Sequence, residues 1–121
     1  MTFYGIMTSD APNAFIVAGP NAILNHGSII FMIECQVDFI VRVIGEAMKR
    51  GTKVVTVKRS AEEEWMNDLK KNLEMTIWKT GGCNSWYRNN QGEVTALWPK
   101  NCISYWWETK NVNFNCMNWN L

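Results

Sequence analysis

The sequence of 121 residues predicts a mixed α/β fold, in which two strand–helix units precede an aromatic-rich β segment. Three observations lead to this prediction. The run Ala14–Ala18 is continuously apolar, and the turn-forming residues Gly19-Pro20-Asn21 end it. A long helical pattern follows, and a second strand and helix pattern comes after it. After Gly81-Gly82 the helical period stops and short strand-like runs begin.

The first unit joins the strand Ala14–Ala18 to a helix from about Ser28 to Lys49. Ser28 is a suitable N-cap, and the segment Ile29–Ile33 is apolar on every side. Gly51 suits the position just after the helix C-terminus. Four polar side chains recur every four residues and form one stripe: Glu34, Asp38, Arg42 and Glu46. This pattern predicts a helix whose N-terminal part enters a protein core.

The second unit joins a strand at Lys53–Val57, rich in β-branched residues, to a helix from about Ala61 to Trp78. Ser60 and Glu63 have the S-x-x-E spacing of a capping box. The apolar residues of this helix keep a helical period, at Trp65, Met66, Leu69, Leu73 and Ile77. The sequence therefore predicts a βαβα order over its first two-thirds.

The remaining segments give weaker signals. Cys83–Arg88 and Glu93–Trp98 flank a four-residue loop with Asn and Gly, which predicts a β-hairpin. Asn101–Thr109 suggests another extended segment. Met1–Asp10 has a mixed composition without a clear element. Asn111–Leu121 contains five asparagines, and we expect a frayed tail there.

Composition excludes several classes of protein. The net charge of +1 gives no electrostatic footprint for nucleic acid or an anionic membrane. No signal peptide is visible, and the apolar helix pattern is too interrupted by charge to span a bilayer. The four cysteines lack CxxC pairing and metal spacing, so we expect reduced thiols in a cytoplasmic protein and no metal site.

The turn between the first strand and the first helix is the candidate ligand site. It contains His26, the only histidine of the chain, followed by Gly27 and Ser28. Backbone N–H groups and the partial positive charge of a helix N-terminus would face a ligand here. The alternative is an ordinary βα unit that binds nothing.

Two stretches carry a resemblance to a known family. The run AGPN…HGSIIFMIECQV, between Ala18 and Val37, and the run GGCNSWYRNNQGEVTALWP, between Gly81 and Pro99, resemble the C-terminal part of flavin-dependent monooxygenases. These include the Baeyer–Villiger and the related N-hydroxylating and S-oxygenating enzymes. The resemblance implies a partial, incomplete FAD/NAD(P)-binding Rossmann-like domain at 1–110, with the tail at 111–121. No G-x-G-x-x-G fingerprint occurs in the chain.

The resemblance also implies a reaction. Such enzymes use NADPH, O2 and FAD to insert one oxygen atom into a ketone, sulfide or amine through a flavin C4a-peroxide. The missing N-terminal FAD and NADPH domains would be the partners of this segment, which alone would be inactive. No catalytic residue is identified in the chain. The rival hypothesis is a small, self-standing α/β interaction module with exposed tryptophans.

The resemblance assigns roles to particular residues. We expect the cofactor-binding set to border the pyrimidine end of FAD: Gly19, Pro20, Asn21, His26, Gly27 and Ser28. Trp86 and Tyr87 would lie near NADP or substrate. The alternatives are that His26 only ties the loop to the helix and that the two aromatic residues pack in a core. Glu34 and Gln36 are assigned to helix packing and solubility.

Overall fold

A computed structural model describes residues 1–19, 29–74, 102–111 and 113–120. These ranges contain three α-helices, one short 3-10 helix and two strands. In chain order they are α1 (Ile29–Arg50), β1 (Val54–Val57), α2 (Arg59–Glu74), α3 (Cys102–Lys110), the 3-10 helix Phe114–Cys116 and β2 (Met117–Asn120). The predicted hairpin between residues 83 and 98 and the expected end of the second helix at 75–78 lie outside the described residues.

Helix α1 confirms the long helix predicted from the sequence. It is present from Ile29, the first residue described after Gly19, and it ends at Arg50. Gly51 follows with a φ of +68°, and the N–H of Thr52 donates to the carbonyl of Ala47 at 2.9 Å. This is the hydrogen-bonding pattern of a Schellman motif, in which glycine relieves the strain of the left-handed conformation. The predicted C-terminus of the helix is therefore confirmed, and so is the role of Gly51 in ending it.

Strands β1 and β2 form a two-stranded antiparallel sheet, in which Val54 lies opposite Asn120 and Val57 opposite Met117. The expectation of a frayed tail is wrong for residues 113–120. Val57 and Met117 are 0% and 2% exposed, so the pairing closes over the core. The partner of β2, strand β1, lies some sixty residues earlier in the sequence. The abundance of asparagine in β2 therefore does not predict this pairing.

The strand predicted at Ala14–Ala18 does not form among the described residues. This stretch is irregular, and Val17 is 43% exposed. It makes an isolated backbone hydrogen bond from the N–H of Ile16 to the carbonyl of Ile6, at 2.8 Å. The two described strands are antiparallel, so the Rossmann-like detail of the prediction is not confirmed, although the mixed helix and strand composition is.

Helices α2 and α3 correct two further predictions. Helix α2 begins at Arg59, so Ser60 lies inside it and does not cap it. The segment predicted to be extended at Asn101–Thr109 is the helix α3. Tyr105 and Thr109 are both buried and lie one turn apart, which fits a helix that presents one face to the core.

The N-terminal segment is part of the core. Tyr4 and Gly5 have φ values of +56° and +70° in a tight turn, across which the N–H of Phe3 donates to the carbonyl of Met7 at 2.8 Å. This turn packs with α1 and α3, which contact one another, and with the sheet. The core residues are Phe3, Ile6, Met7, Met32, Cys35, Phe39, Val43, Val55, Val57, Trp65, Leu69, Tyr105 and Met117. Within the described ranges, no helix is long and apolar enough to cross a membrane.

Candidate functional site at the loop before helix α1

The described residues include Gly19 and the start of α1, which flank the predicted cofactor site on both sides. Pro20, Asn21, His26, Gly27 and Ser28 lie outside the described residues. The two aromatic residues expected near NADP or substrate, Trp86 and Tyr87, also lie outside them. The geometry of the site is therefore given by the loop 14–19 and by the first turns of α1.

Gly19 is buried against the turn at the N-terminus. A Cβ atom at this position would lie 2.2 Å from the carbonyl oxygen of Gly5 and 2.9 Å from Cγ2 of Ile16. Real Cβ atoms do not approach a carbonyl oxygen this closely, so contact with the chain's own backbone already requires glycine here.

Asn13 joins the beginning of this loop to strand β1. Its N–H donates to the carbonyl of Val55 at 2.9 Å, and its side-chain oxygen accepts from the N–H of Val55 at 2.8 Å. Its side-chain amide also donates to the carbonyl of Lys53 at 3.0 Å. Asn13 has a φ of +58°, a conformation that asparagine tolerates better than most residues. One side chain thus anchors the loop to the sheet.

Gln36 anchors the other end of the loop to α1. Its side chain is completely buried, and its Oε1 accepts a hydrogen bond from the N–H of Ala18 at 2.8 Å. Ala18 has a φ of +56°, a strained conformation for alanine that this hydrogen bond helps to hold. Gln36 therefore fixes the direction in which the chain leaves the loop toward the predicted site.

Tyr105 of α3 completes this buried polar group. Its hydroxyl donates to the carbonyl of Tyr4 at 2.8 Å and also interacts with the side chain of Gln36. Burial raises the pKa of Tyr105 well above its usual value, so the hydroxyl remains a proton donor. The loop, α1 and α3 are thereby joined through one network.

Sequence reasoning missed the positioning role of this network. Gln36 was assigned to packing and solubility, as was Glu34, which is exposed. The signal that could have identified it is an amide within an otherwise apolar buried stripe, because a buried amide needs partners. The buried stripe of α1 is Met32, Cys35, Gln36, Phe39 and Val43.

The first turn of α1 adds no negative charge to the positive end of the helix. It contains no acidic residue, whereas the last turn carries Lys49 and Arg50, which complement the negative end. Ile29 and Ile30 are 44% and 65% exposed. Within residues 29–50, nothing in the first turn neutralises the partial positive charge of the helix N-terminus, which favours an anionic or electron-rich planar group.

A separate cleft of about 240 Å³ lies elsewhere, between the N-terminal turn, α2 and α3. Tyr4 and Trp65 line it, together with the carboxylates of Glu64, Asp68 and Glu108. Among the described residues, no group of three or more His, Cys, Asp or Glu side chains is arranged to hold a metal ion. The loop before α1 thus remains the candidate site.

Comparison with known proteins identifies relatives over most of the chain. No protein-family model matches the chain. A Baeyer-Villiger monooxygenase of Pseudomonas aeruginosa is 33% identical over 98 residues, which are 80% of this chain and 19% of that enzyme. The FAD-binding monooxygenase ktnD of Aspergillus niger is 31% identical over 116 residues, 93% of this chain and 19% of that protein. The chain thus spans about a fifth of the length of these relatives.

Solved structures show the same relationship in the fold. Cyclohexanone monooxygenase from Rhodococcus sp. Phi1, bound to NADP+, superposes with a TM-score of 0.82 at 21% identity, covering 98% of this chain and 23% of that one. An oxidised steroid monooxygenase bound to NADP superposes with a TM-score of 0.82 at 20% identity, covering 98% of this chain and 22% of its own. By its sequence relatives, the chain is a homologue of flavin-dependent monooxygenases of the Baeyer–Villiger type, and it spans about one fifth of their length.

Proposed function

We propose that this chain is the C-terminal portion of an NADPH- and O2-dependent FAD monooxygenase that inserts one oxygen atom into a ketone, sulfide or amine. The observation that carries the proposal is the sequence identity of 31–33% to FAD-binding and Baeyer-Villiger monooxygenases over 80–93% of the chain. Because the chain spans about a fifth of those proteins, the complete activity requires the remaining domains, and the segment alone is inactive.

In this proposal the loop before α1 borders the pyrimidine end of FAD. The cofactor-binding residues are Gly19, Pro20, Asn21, His26, Gly27 and Ser28. Two features of the described residues support this placement. The loop is held at Asn13 and at Ala18, so its last residues have a fixed direction. The first turn of α1 carries no acidic residue that would repel an electron-rich ring edge.

These features are compatible with a bound flavin, and the cofactor and the protein would have different roles. When bound, FAD would supply the redox and oxygen chemistry, with NADPH as the reductant. The free N–H groups at the N-terminus of α1 would stabilise negative charge at the pyrimidine edge. Gln36 and Tyr105 would not contact FAD themselves; they would hold the loop in position. Trp86 and Tyr87 are proposed to lie near NADP or substrate.

A chimeric enzyme tests this function. The part of this chain that aligns over 98 residues with the Pseudomonas aeruginosa relative replaces the matching segment of that enzyme. Bound flavin, NADPH consumption and peroxide leakage are then measured. We expect the chimera to retain FAD and to oxidise NADPH in the presence of O2 and substrate. A folded chimera without flavin would contradict the proposal.

Single substitutions in the chimera test the site itself. Ser28→Leu and Gly27→Leu should lower FAD occupancy or uncouple NADPH oxidation from product formation, because a bulky side chain would block the approach to the helix N-terminus. His26→Ala should act more mildly. Ser60→Leu, at an exposed position of α2, is the matched control. Unchanged occupancy and coupling in the Gly27 variant would refute the site assignment.

The second candidate is a self-standing interaction module without catalysis. One observation favours it: α3 exposes Ile103, Trp106 and Trp107, at 68%, 38% and 61%. Exposed aromatic residues of this kind often contact partner proteins. The chimera distinguishes the two, since a module would fold without restoring flavin binding.

A further inference from the structure

Three oxidisable aromatic side chains pack together between the N-terminal turn, α2 and α3. The ring centroid of Tyr4 lies 5.1 Å from that of Trp65 and 6.3 Å from that of Tyr105. Trp65 and Tyr105 are buried, so the group lies largely in the core. Tyrosine and tryptophan are the aromatic side chains that lose a single electron most readily, and rings in such close contact exchange electrons rapidly. We call these three residues the Tyr–Trp cluster.

Tyr4 has a proton acceptor at its hydroxyl. The hydroxyl donates to the carboxylate of Glu108, which also accepts from the hydroxyl of Ser104 at 3.0 Å. Burial, and then the charge of Glu108, raise the pKa of Tyr4 above its usual value, so the phenol is protonated at physiological pH. A phenol that loses an electron becomes a strong acid and must release its proton. A carboxylate in contact with the hydroxyl takes this proton and so favours loss of the electron.

Tyr105 has different partners. Its hydroxyl donates to the backbone carbonyl of Tyr4 and interacts with the amide side chain of Gln36. A carbonyl and an amide accept hydrogen bonds, but neither takes up a proton at neutral pH. An electron vacancy formed on Tyr105 would therefore pass to Tyr4. The same transfer is open to Trp65, whose ring lies closer still to Tyr4.

We propose that Tyr4 is a redox-active tyrosine, which holds an oxidising equivalent that enters the cluster as a neutral tyrosyl radical while Glu108 holds its proton. The oxidant is of the hydroxyl-radical class, which forms when ferrous iron reduces hydrogen peroxide. One electron passes from Tyr4 to the oxidant, which becomes hydroxide. The O–H bond of Tyr4 breaks, and its proton forms an O–H bond on Glu108. A one-electron reductant such as ascorbate then returns the electron, and Glu108 returns the proton.

This chemistry would protect a thiol of the core. Cys35 is 6% exposed and interacts electrostatically with Tyr105, so an electron vacancy left on Tyr105 would oxidise the thiol. The higher oxidation states of cysteine are irreversible, whereas a tyrosyl radical is repaired by one electron. In the complete enzyme the peroxide would come from uncoupled NADPH oxidation, and this source rests on the proposed function. The redox property of Tyr4 does not, because it depends on contacts within this chain.

Flash photolysis of the purified chain tests the proposal. Tris(bipyridine)ruthenium(II) with persulfate supplies a one-electron oxidant, and EPR spectroscopy of rapidly frozen samples detects the tyrosyl radical. The chain has three tyrosines, so single substitutions assign the signal. We expect Tyr4→Phe to lose it and Tyr87→Phe and Tyr105→Phe to keep it. Tyr4→Phe keeps the ring and the backbone carbonyl that accepts from Tyr105, so the variant should fold like its parent, which circular dichroism checks.

Glu108→Gln separates proton acceptance from structure. Glutamine keeps the shape and an oxygen that can accept from Ser104, but it takes up no proton. The yield of the tyrosyl signal should fall at least about tenfold. Glu64→Gln is the matched control, since it removes the same charge from another side chain that lines the cleft beside Tyr4 and should leave the yield unchanged.

Mass spectrometry of the same samples measures the protection. Cys35 should be more oxidised in Tyr4→Phe than in the parent chain. A parent chain without a tyrosyl signal, a signal that survives in Tyr4→Phe, or a parental yield in Glu108→Gln would overturn the proposal. So would unchanged oxidation of Cys35 in Tyr4→Phe. The assay needs neither flavin nor NADPH, so a chimera without flavin would reject the proposed function and leave the redox role of Tyr4 standing.

Discussion

Replacing Gln36 with methionine would remove the hydrogen bonds that hold the loop before α1 while keeping the side-chain volume. Gln36 is 0% exposed, its Oε1 accepts from the N–H of Ala18 at 2.8 Å, and its side chain also interacts with Tyr105. Methionine has a similar length and no amide. The perturbation therefore tests the polar contacts and not the packing.

The cost follows from the groups left without partners. An unsatisfied buried donor or acceptor costs about 1–3 kcal/mol. Ala18 is only partly buried, so water can replace part of its lost hydrogen bond. We therefore expect a total loss of about 1–3 kcal/mol in the free energy of unfolding. For a chain of this size that corresponds to a fall of roughly 4–12 °C in melting temperature.

Thermal and urea unfolding, followed by far-UV circular dichroism, measures this loss. Glu34→Met places the same side chain at an exposed position of α1 and should leave the melting temperature almost unchanged. Combining Gln36→Met with Tyr105→Phe should give a coupling energy of at least about 0.5 kcal/mol, because the two side chains belong to one network. A Gln36→Met protein as stable as wild type, or two fully additive substitutions, would refute the reasoning.

Three further predictions concern stability. Gly19→Ala should destabilise the fold by about 1–3 kcal/mol, because its Cβ would meet the Gly5 carbonyl, whereas Gly45→Ala, in an open helical position, should stabilise it by about 0.5–1 kcal/mol. Urea unfolding measures the stability of both variants. Equal effects of the two substitutions would contradict the close contact between position 19 and the Gly5 carbonyl. Met117→Ala should cost roughly 2–5 kcal/mol and the exposed Asn118→Ala almost nothing in the same assay; a silent Met117 variant would mean that β2 is not part of the core.

The last of the three is a pH dependence. Burial raises the pKa of Tyr105 in the folded state, so the unfolded state loses its proton first as the pH rises above about 10. The associated stability is complete below that pH and is lost above it, with a slope of up to about 1.4 kcal/mol per pH unit. Burial also raises the pKa of Tyr4, which contributes to the slope in the same way. Tyr105→Phe should therefore reduce the slope by about half in urea titrations between about pH 9 and 11. The same slope in the variant would assign the effect to another group.

The sequence by itself determined the features that depend on local physics. The end of α1 followed from Lys49, Arg50 and Gly51, whose charges and conformational freedom suit a helix C-terminus wherever it occurs. The β-branched run predicted β1, and the helical period predicted the body of α2. Homology to the flavin-dependent monooxygenases also followed from the sequence, because it depends on residue identities and their order.

Only the tertiary structure decided which segments pair and which side chains are buried. The apolar run Ala14–Ala18 reads as a strand, yet no described strand lies beside it, and its hydrogen bonds go to single partners such as Gln36. The asparagine-rich end becomes β2 because β1 offers an open edge over the core. Glu34 and Gln36 are both polar and nearly adjacent, but a rotation of 200° along the helix places one in water and the other in the network around the loop. Local composition cannot distinguish them, since burial depends on segments that are distant in sequence.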